Sequence, residues 1–168
     1  MSALLAVYRH PHARLVFRVV VGAVFIAASL DKVEHPVAFA RAVSYYHMIP
    51  PQALNAFALL VPWVELLAGV ALVAGLASRG AALLVGGLLV VFIVALVSAI
   101  SRGIDISCGC FSTTTGEGHK VGIDVVIRDV AMLAAVLPVV RLGGGTLSLD
   151  AVFGARRRAA APTERSAA

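Results

Sequence analysis

Apolar residues along this chain fall into four long runs separated by short polar stretches. Each run is close to the roughly 20 residues that a helix needs to cross the hydrocarbon core of a bilayer. The pattern predicts an all-α integral membrane protein, a four-helix bundle with helices at about residues 14–32, 53–76, 80–100 and 121–140. The fourth run is the least apolar, because Asp124, Arg128 and Asp129 interrupt it. The first carries a small-residue stretch, Ala27-Ala28-Ser29, of the kind that precedes signal-peptide cleavage, yet it continues unbroken to Asp31 and reads as a retained helix. Residues 1–142 are then one transmembrane domain, and past Gly143-Gly144-Gly145 the segment 143–168 reads as a disordered basic tail.

The connecting segments carry their own signals. Pro36 suits the first turn of a helix, so Val37 to Tyr46 are expected to lie along the membrane surface until Pro50-Pro51 end them. Tyr45 and Tyr46 fit an interfacial aromatic belt as well as they fit a substrate site. The loop from Ser101 to Lys120 holds both cysteines and a polar run, Ser112-Thr113-Thr114-Thr115-Gly116, that disfavours helix.

Composition supports the membrane reading: 60% of the 168 residues are hydrophobic, 14% are charged, and the mean hydropathy is +0.95. A net charge of +5 raises the question of nucleic acid, but the basic residues sit at the ends of apolar runs and in the tail Arg156, Arg157, Arg158 and Arg165. That distribution is a topology signal, and no nucleic-acid partner is expected. An inside N-terminus puts Arg9, Arg14, Arg79, Arg141 and the tail arginines on the cytoplasmic side, and leaves Lys32, Arg41, Arg102 and Lys120 in the outer loops. Both termini are therefore expected to be cytoplasmic, with Arg18 snorkelling back to the inner interface. The expected location is the cytoplasmic (inner) membrane, with lipid as the first partner.

Cys108 and Cys110 are the chain's two cysteines, separated by Gly109 in the outer loop, on the side where disulfides persist. A bridge across one residue must bring the two Cα atoms to roughly 4.4–6.8 Å by a tight backbone fold, which Gly109 permits. So small a ring constrains the unfolded chain little and leaves a strained, easily reduced bond, which favours exchange over stapling. A zinc site needs more ligands than the neighbouring His119 and Asp105 supply, so no metal site is assigned, whereas two thiolates alone suit Cu(I). His119 is a candidate modulator of thiol pKa, because an imidazolium near Cys108 or Cys110 favours the thiolate; an exposed loop histidine is the alternative.

Ionisable residues inside the apolar runs form a second group. Glu65 lies about 18 Å along the second helix counted from Ala53, where a carboxylate facing lipid costs roughly 2.5–3.5 kcal/mol. It is expected to face the bundle interior. The fourth helix places Asp124 and Arg128 on one face with Asp129 about 100° round, and Arg128 is expected to reach Glu65. A buried ion pair that fixes helix packing, a proton relay and a quinone-binding group are the open roles for these four residues. Pro62 and Trp63 are expected to kink the second helix and shape a pocket.

In this order the residues resemble the MauE branch of the DoxX-like membrane proteins. The likeness rests on Asp31-Lys32 closing the first helix, Tyr46 with Ile49-Pro50, Pro62-Trp63-Val64-Glu65-Leu66, Arg79, Asp105-Ile106-Ser107-Cys108-Gly109-Cys110-Phe111, and Arg128-Asp129. It spans about Phe17 to Val140, and the cysteine motif and the Pro-Trp-x-Glu segment are its specific parts. Ser112 departs from it, since the family commonly has glycine after Cys-Gly-Cys-Phe.

The resemblance implies a four-helix membrane protein of redox maturation. MauE belongs to methylamine metabolism, where it is linked to producing the disulfide-rich small subunit of methylamine dehydrogenase. Relatives look similar in layout to quinone-linked thiol oxidases such as DsbB and VKOR, but those carry a second cysteine pair that this chain lacks. The leading expectation is a thiol-disulfide oxidoreductase in which Cys108 and Cys110 serve an extracytoplasmic client or a thioredoxin-like partner, with a membrane quinone as one candidate electron acceptor. The alternatives are a non-enzymatic assembly or export factor and a Cu(I)-handling protein.

Overall fold

The computed structural model describes residues 11–103, 123–143 and 148–150. Among them the secondary structure is entirely helical: α1 Pro11–Glu34, α2 Pro36–Ser44, α3 Pro51–Ala74, α4 Ser78–Ser101 and α5 Ile123–Leu142. The four long helices match the four apolar runs to within a few residues at each end. Three of the described helices, α1, α3 and α4, are long and apolar enough to cross a membrane. α5 has 20 residues but carries Asp124, Arg128, Asp129 and Arg141.

Their packing follows from a spacing of alternating three and four residues. In α1 the buried positions run Arg18, Val21, Phe25, Ala28 and Lys32; in α3 they run Ala58, Pro62, Glu65, Gly69 and Leu72. α4 repeats the rhythm with Ser78, Ala82, Val85, Leu89, Leu96 and Ala99, and α5 with Val125, Asp129, Val136 and Val139. An average spacing of 3.5 residues keeps one seam of each helix facing its neighbours. α1 packs on α3 and on α5, and α4 packs on α3 and on α5, so the seams enclose a shared core around Leu72, Val85, Leu89 and Val136.

The outside of this core is as apolar as the inside. Leu60, Leu67 and Leu83 are each more than 60% exposed, while Lys32, Glu65, Asp129 and Arg18 are at most 2% exposed. A water-soluble protein puts those classes the other way round, so this distribution is what a lipid environment requires. Trp63, 53% exposed, belongs to the outer face and does not shape an internal pocket as its place beside Pro62 suggested.

Small residues set the closest approach. α1 and α3 cross where Gly22 meets Gly69: a Cβ added to Gly22 would lie 2.6 Å from Val73 Cγ2 and 2.9 Å from the Gly69 carbonyl oxygen. Without a hydrophobic driving force between helices in lipid, such backbone contact is a main source of association.

α3 stops in a Schellman turn. Gly75 takes φ +71°, the Gly75 N–H donates to Leu72 O, and the Leu76 N–H donates to Ala71 O. Ser148–Asp150 lie against this turn. The Asp150 carboxylate accepts from the Ala77 N–H (2.8 Å) and the Ser78 N–H (2.6 Å), and the Asp150 N–H donates to Gly75 O. A distant residue thus caps the start of α4, which its own flanking Ala77, at φ +45°, does not cap with a side chain. Of the segment 143–168, Gly143 and Ser148–Asp150 belong to the described residues, and the others lie outside them.

Candidate functional site: a buried charge cluster

In the interior of the bundle, toward the C-terminal end of α1, the seams bring together residues far apart in sequence. Lys32 Nζ donates to both carboxylate oxygens of Glu65, at 2.9 and 2.7 Å, with the two side chains 2% and 1% exposed. The ammonium also lies 5.4 Å from the centre of the Phe39 ring and 5.1 Å from that of Phe92. α1 supplies the cation, α3 the carboxylate, and α2 and α4 the rings, so the site exists only when four elements are assembled. A fully desolvated ammonium between two aromatic faces gains cation–π attraction in addition to its ion pair.

α5 adds a second pair. Arg128 Nε and Nη2 both donate to Asp129 Oδ1, at 3.0 and 2.8 Å. Asp129 is 2% exposed in its side chain and Arg128 37%, and the charge of Lys32 acts on Asp129 as well. The two pairs share a void of about 20 Å³ bounded by all four charged side chains together with Phe25 and Met132. That volume admits about one water molecule, which needs at least roughly 10–15 Å³ and several polar partners.

Three expectations are corrected by this geometry. Glu65 does face the interior, but its partner is Lys32 and not Arg128, because α1 packs directly on α3 while the Arg128 guanidinium is taken by its own neighbour Asp129. Lys32, assigned above to an outer loop, is inside the structure, since α1 continues to Glu34. The signal that finds it is the three-four seam: Lys32 is the last member of the series from Arg18, and Arg18 the first. Arg18 likewise does not snorkel to the surface. It is 1% exposed, donates to Val73 O at 3.4 Å, and sits where Gly75, Ser148 and Asp150 meet.

Asp124 is exposed in the first turn of α5, where a carboxylate suits the helix dipole, and does not join the cluster. Cys108, Cys110 and His119 lie outside the described residues. The loop that carries them leaves α4 after Arg102, whose Nη2 donates to Tyr46 O at 2.7 Å and so fixes its starting point against the α2–α3 connection. Among the described residues no group of three or more histidine, cysteine or acidic side chains is placed to hold a metal ion.

Paired charges at the centre, apolar surfaces outside and three spanning-length helices define a multi-pass membrane protein. Residues 10–142 match the family model "Methylamine utilisation protein MauE", and the chain belongs to the MauE family. It is 32% identical over 123 residues to the methylamine utilization protein MauE of Paracoccus denitrificans, covering 73% of this chain and 65% of that one. It is 30% identical over 120 residues to the MauE of Methylorubrum extorquens, covering 67% and 64%, and 30% identical over 113 residues to that of Methylophilus methylotrophus, covering 67% and 59%. The matched part thus spans 59–65% of each relative's length, less than two thirds. No solved structure matches the chain.

Proposed function

We propose that this protein is a thiol-disulfide redox protein of the cytoplasmic membrane, a four-helix transmembrane bundle with both termini cytoplasmic and the Cys108-Gly109-Cys110 loop outside. The observation that carries the reading is the confinement of the chain's cysteines to one Cys-Gly-Cys in the segment joining α4 to α5. α5 serves as the fourth span: its 20 residues cover about 30 Å, and its exposed side carries Ile127, Val130 and Leu137 while Asp129 faces inward.

In the exchange, a client thiolate attacks one sulfur of the Cys108–Cys110 disulfide and forms a mixed disulfide with release of the other as thiolate. The client's second thiolate then displaces the bound cysteine. The client leaves oxidised by two electrons, and Cys108 and Cys110 are left as the dithiol. A thioredoxin-like partner in its disulfide form takes up the two electrons by the reverse sequence and restores the bridge. The Lys32–Glu65 pair ties α1 to α3, and the Arg128–Asp129 pair fixes the inward face of α5, one of the two helices that the cysteine loop joins. By the name its relatives carry, the client is a protein of methylamine utilisation.

Labelling of intact spheroplasts with a membrane-impermeant maleimide, before and after reduction, tests the reading. Reduction-dependent labelling of Cys108 and Cys110 is expected. An absence of labelling from the outer face, or equal labelling before and after reduction, overturns it.

A further inference from the structure

Beside the charge cluster lies a second, larger cavity of about 210 Å³ that the redox reading does not use. Its walls are almost wholly carbon: Phe39 from α2, Tyr46 from the turn after it, Phe57 from α3, and Val91, Phe92 and Ala95 from α4. Phe39 and Phe92 are the two rings that flank the Lys32 ammonium, so they divide a charged compartment from an apolar one. Two wall residues, Val91 at 54% and Met48 at 49% exposure, belong to the outer surface of the protein. The cavity is therefore continuous with the face that lipid covers.

We infer that this cavity is a binding site for the hydrocarbon chain of a membrane lipid, entering between α3 and α4 past Val91. Volume supports it, because an apolar cavity of only about 150 Å³ already takes up benzene, and protein interiors do not otherwise leave such spaces unfilled. Wall chemistry separates the chain from a polar ring. A quinone placed there would bring two carbonyl groups into a space almost without donors, whereas methylene groups ask for none. Access supports it too, since the open side meets acyl chains and not water. The occupied site packs α2 against α3 and α4 and keeps Phe39 and Phe92 over Lys32. It does not depend on the redox reading, and the cysteines take no part in it.

The test uses the full chain in vesicles containing a small share of phosphatidylethanolamine that carries a photoactivatable diazirine in one acyl chain. Cross-links at Phe57, Val91 and Ala95 are expected to saturate as the probe share rises, while those at the lipid-facing Leu60 and Leu67 rise in proportion to it. Ala95→Phe fills the cavity and is expected to lower the saturable labelling roughly tenfold without changing that at Leu60. Val91→Phe, at the exposed rim, gives the same reading should Ala95→Phe fail to fold. Unsaturable labelling of the cavity walls, unchanged labelling in a folded filled variant, or cross-links joining the walls to the chain's own residues in place of lipid would each overturn the inference. So would displacement of the probe by a short-chain quinone but not by excess unlabelled phospholipid.

Discussion

Removing one partner of the Lys32–Glu65 pair should cost far more than removing both. At 2.7 Å, two unit charges in a medium of effective dielectric constant 20 attract by about 6 kcal/mol, and little of this is screened at side-chain exposures of 2% and 1%. The desolvation of both ions cancels much of that gain, so the net worth of the pair against a well-packed apolar pair is near zero. Lys32→Met leaves Glu65 buried without its cation, and Glu65→Leu leaves Lys32 without its anion; each is expected to destabilise by about 3–5 kcal/mol. The double variant should return to within about 1–2 kcal/mol of the starting protein, since its side chains resemble the apolar ones beside them. Unfolding in bicelles by steric trapping measures all three. Interhelical hydrogen bonds in membranes couple by only about 0.6 kcal/mol on average, so the coupling here should stand well above that level. Single variants that each lose less than about 1 kcal/mol, or a double variant that loses the sum of the two, would refute a buried, desolvated pair.

Other changes probe the remaining joints. Gly22→Ala should weaken α1–α3 packing by about 1–3 kcal/mol, because its Cβ meets the Gly69 backbone, whereas Gly87→Ala, with nothing within 4 Å, should be neutral or gain up to about 1 kcal/mol of helix propensity; thermal unfolding in detergent separates them. Asp150→Ala should raise hydrogen exchange at the Ala77 and Ser78 amides and cost about 0.5–2 kcal/mol of local stability, toward the low end because Asp150 is solvent-exposed. Partial burial alone would raise the Asp150 carboxyl, but hydrogen bonds from Ser78 and Ala77 and the charge of Arg18 outweigh it and hold the group below the usual carboxylate range. A lowered folded value means that the docked segment is stabilised above the unfolded pKa of about 3.9 and released as pH falls through the folded one, which amide exchange across that acidic range should show. Changing Cys108 and Cys110 together to serine should abolish mixed disulfides trapped with a client while leaving the charge cluster and the unfolding midpoint nearly unchanged; persistence of the trapped species would remove these cysteines from the exchange.

The four apolar runs were legible because hydropathy and length belong to each segment separately: a run such as Ser78–Ser101 declares itself a spanning helix whatever it packs against. Glu65 was legible as inward-facing for a similar reason, since the cost of a carboxylate in lipid depends on its depth along its own helix. Seam membership was also within reach, and following the three-four spacing of α1 to its ends moves Arg18 and Lys32 indoors.

Residue order alone is thus enough to make long apolar helices and to put the chain's single cysteine pair between two of them. Which charges meet depends on packing. Lys32 takes Glu65 because α1 and α3 touch at Gly22 and Gly69, a closeness set by two missing side chains on different helices. Asp150 reaches Ala77 across more than seventy residues because Gly75 leaves room for the returning chain. The wide cavity behind Phe39 and Phe92 exists because three elements stop short of filling it. Hydropathy adds up along a chain, but ion pairing, capping and empty space depend on distances between segments, and those are fixed only when the helices have packed.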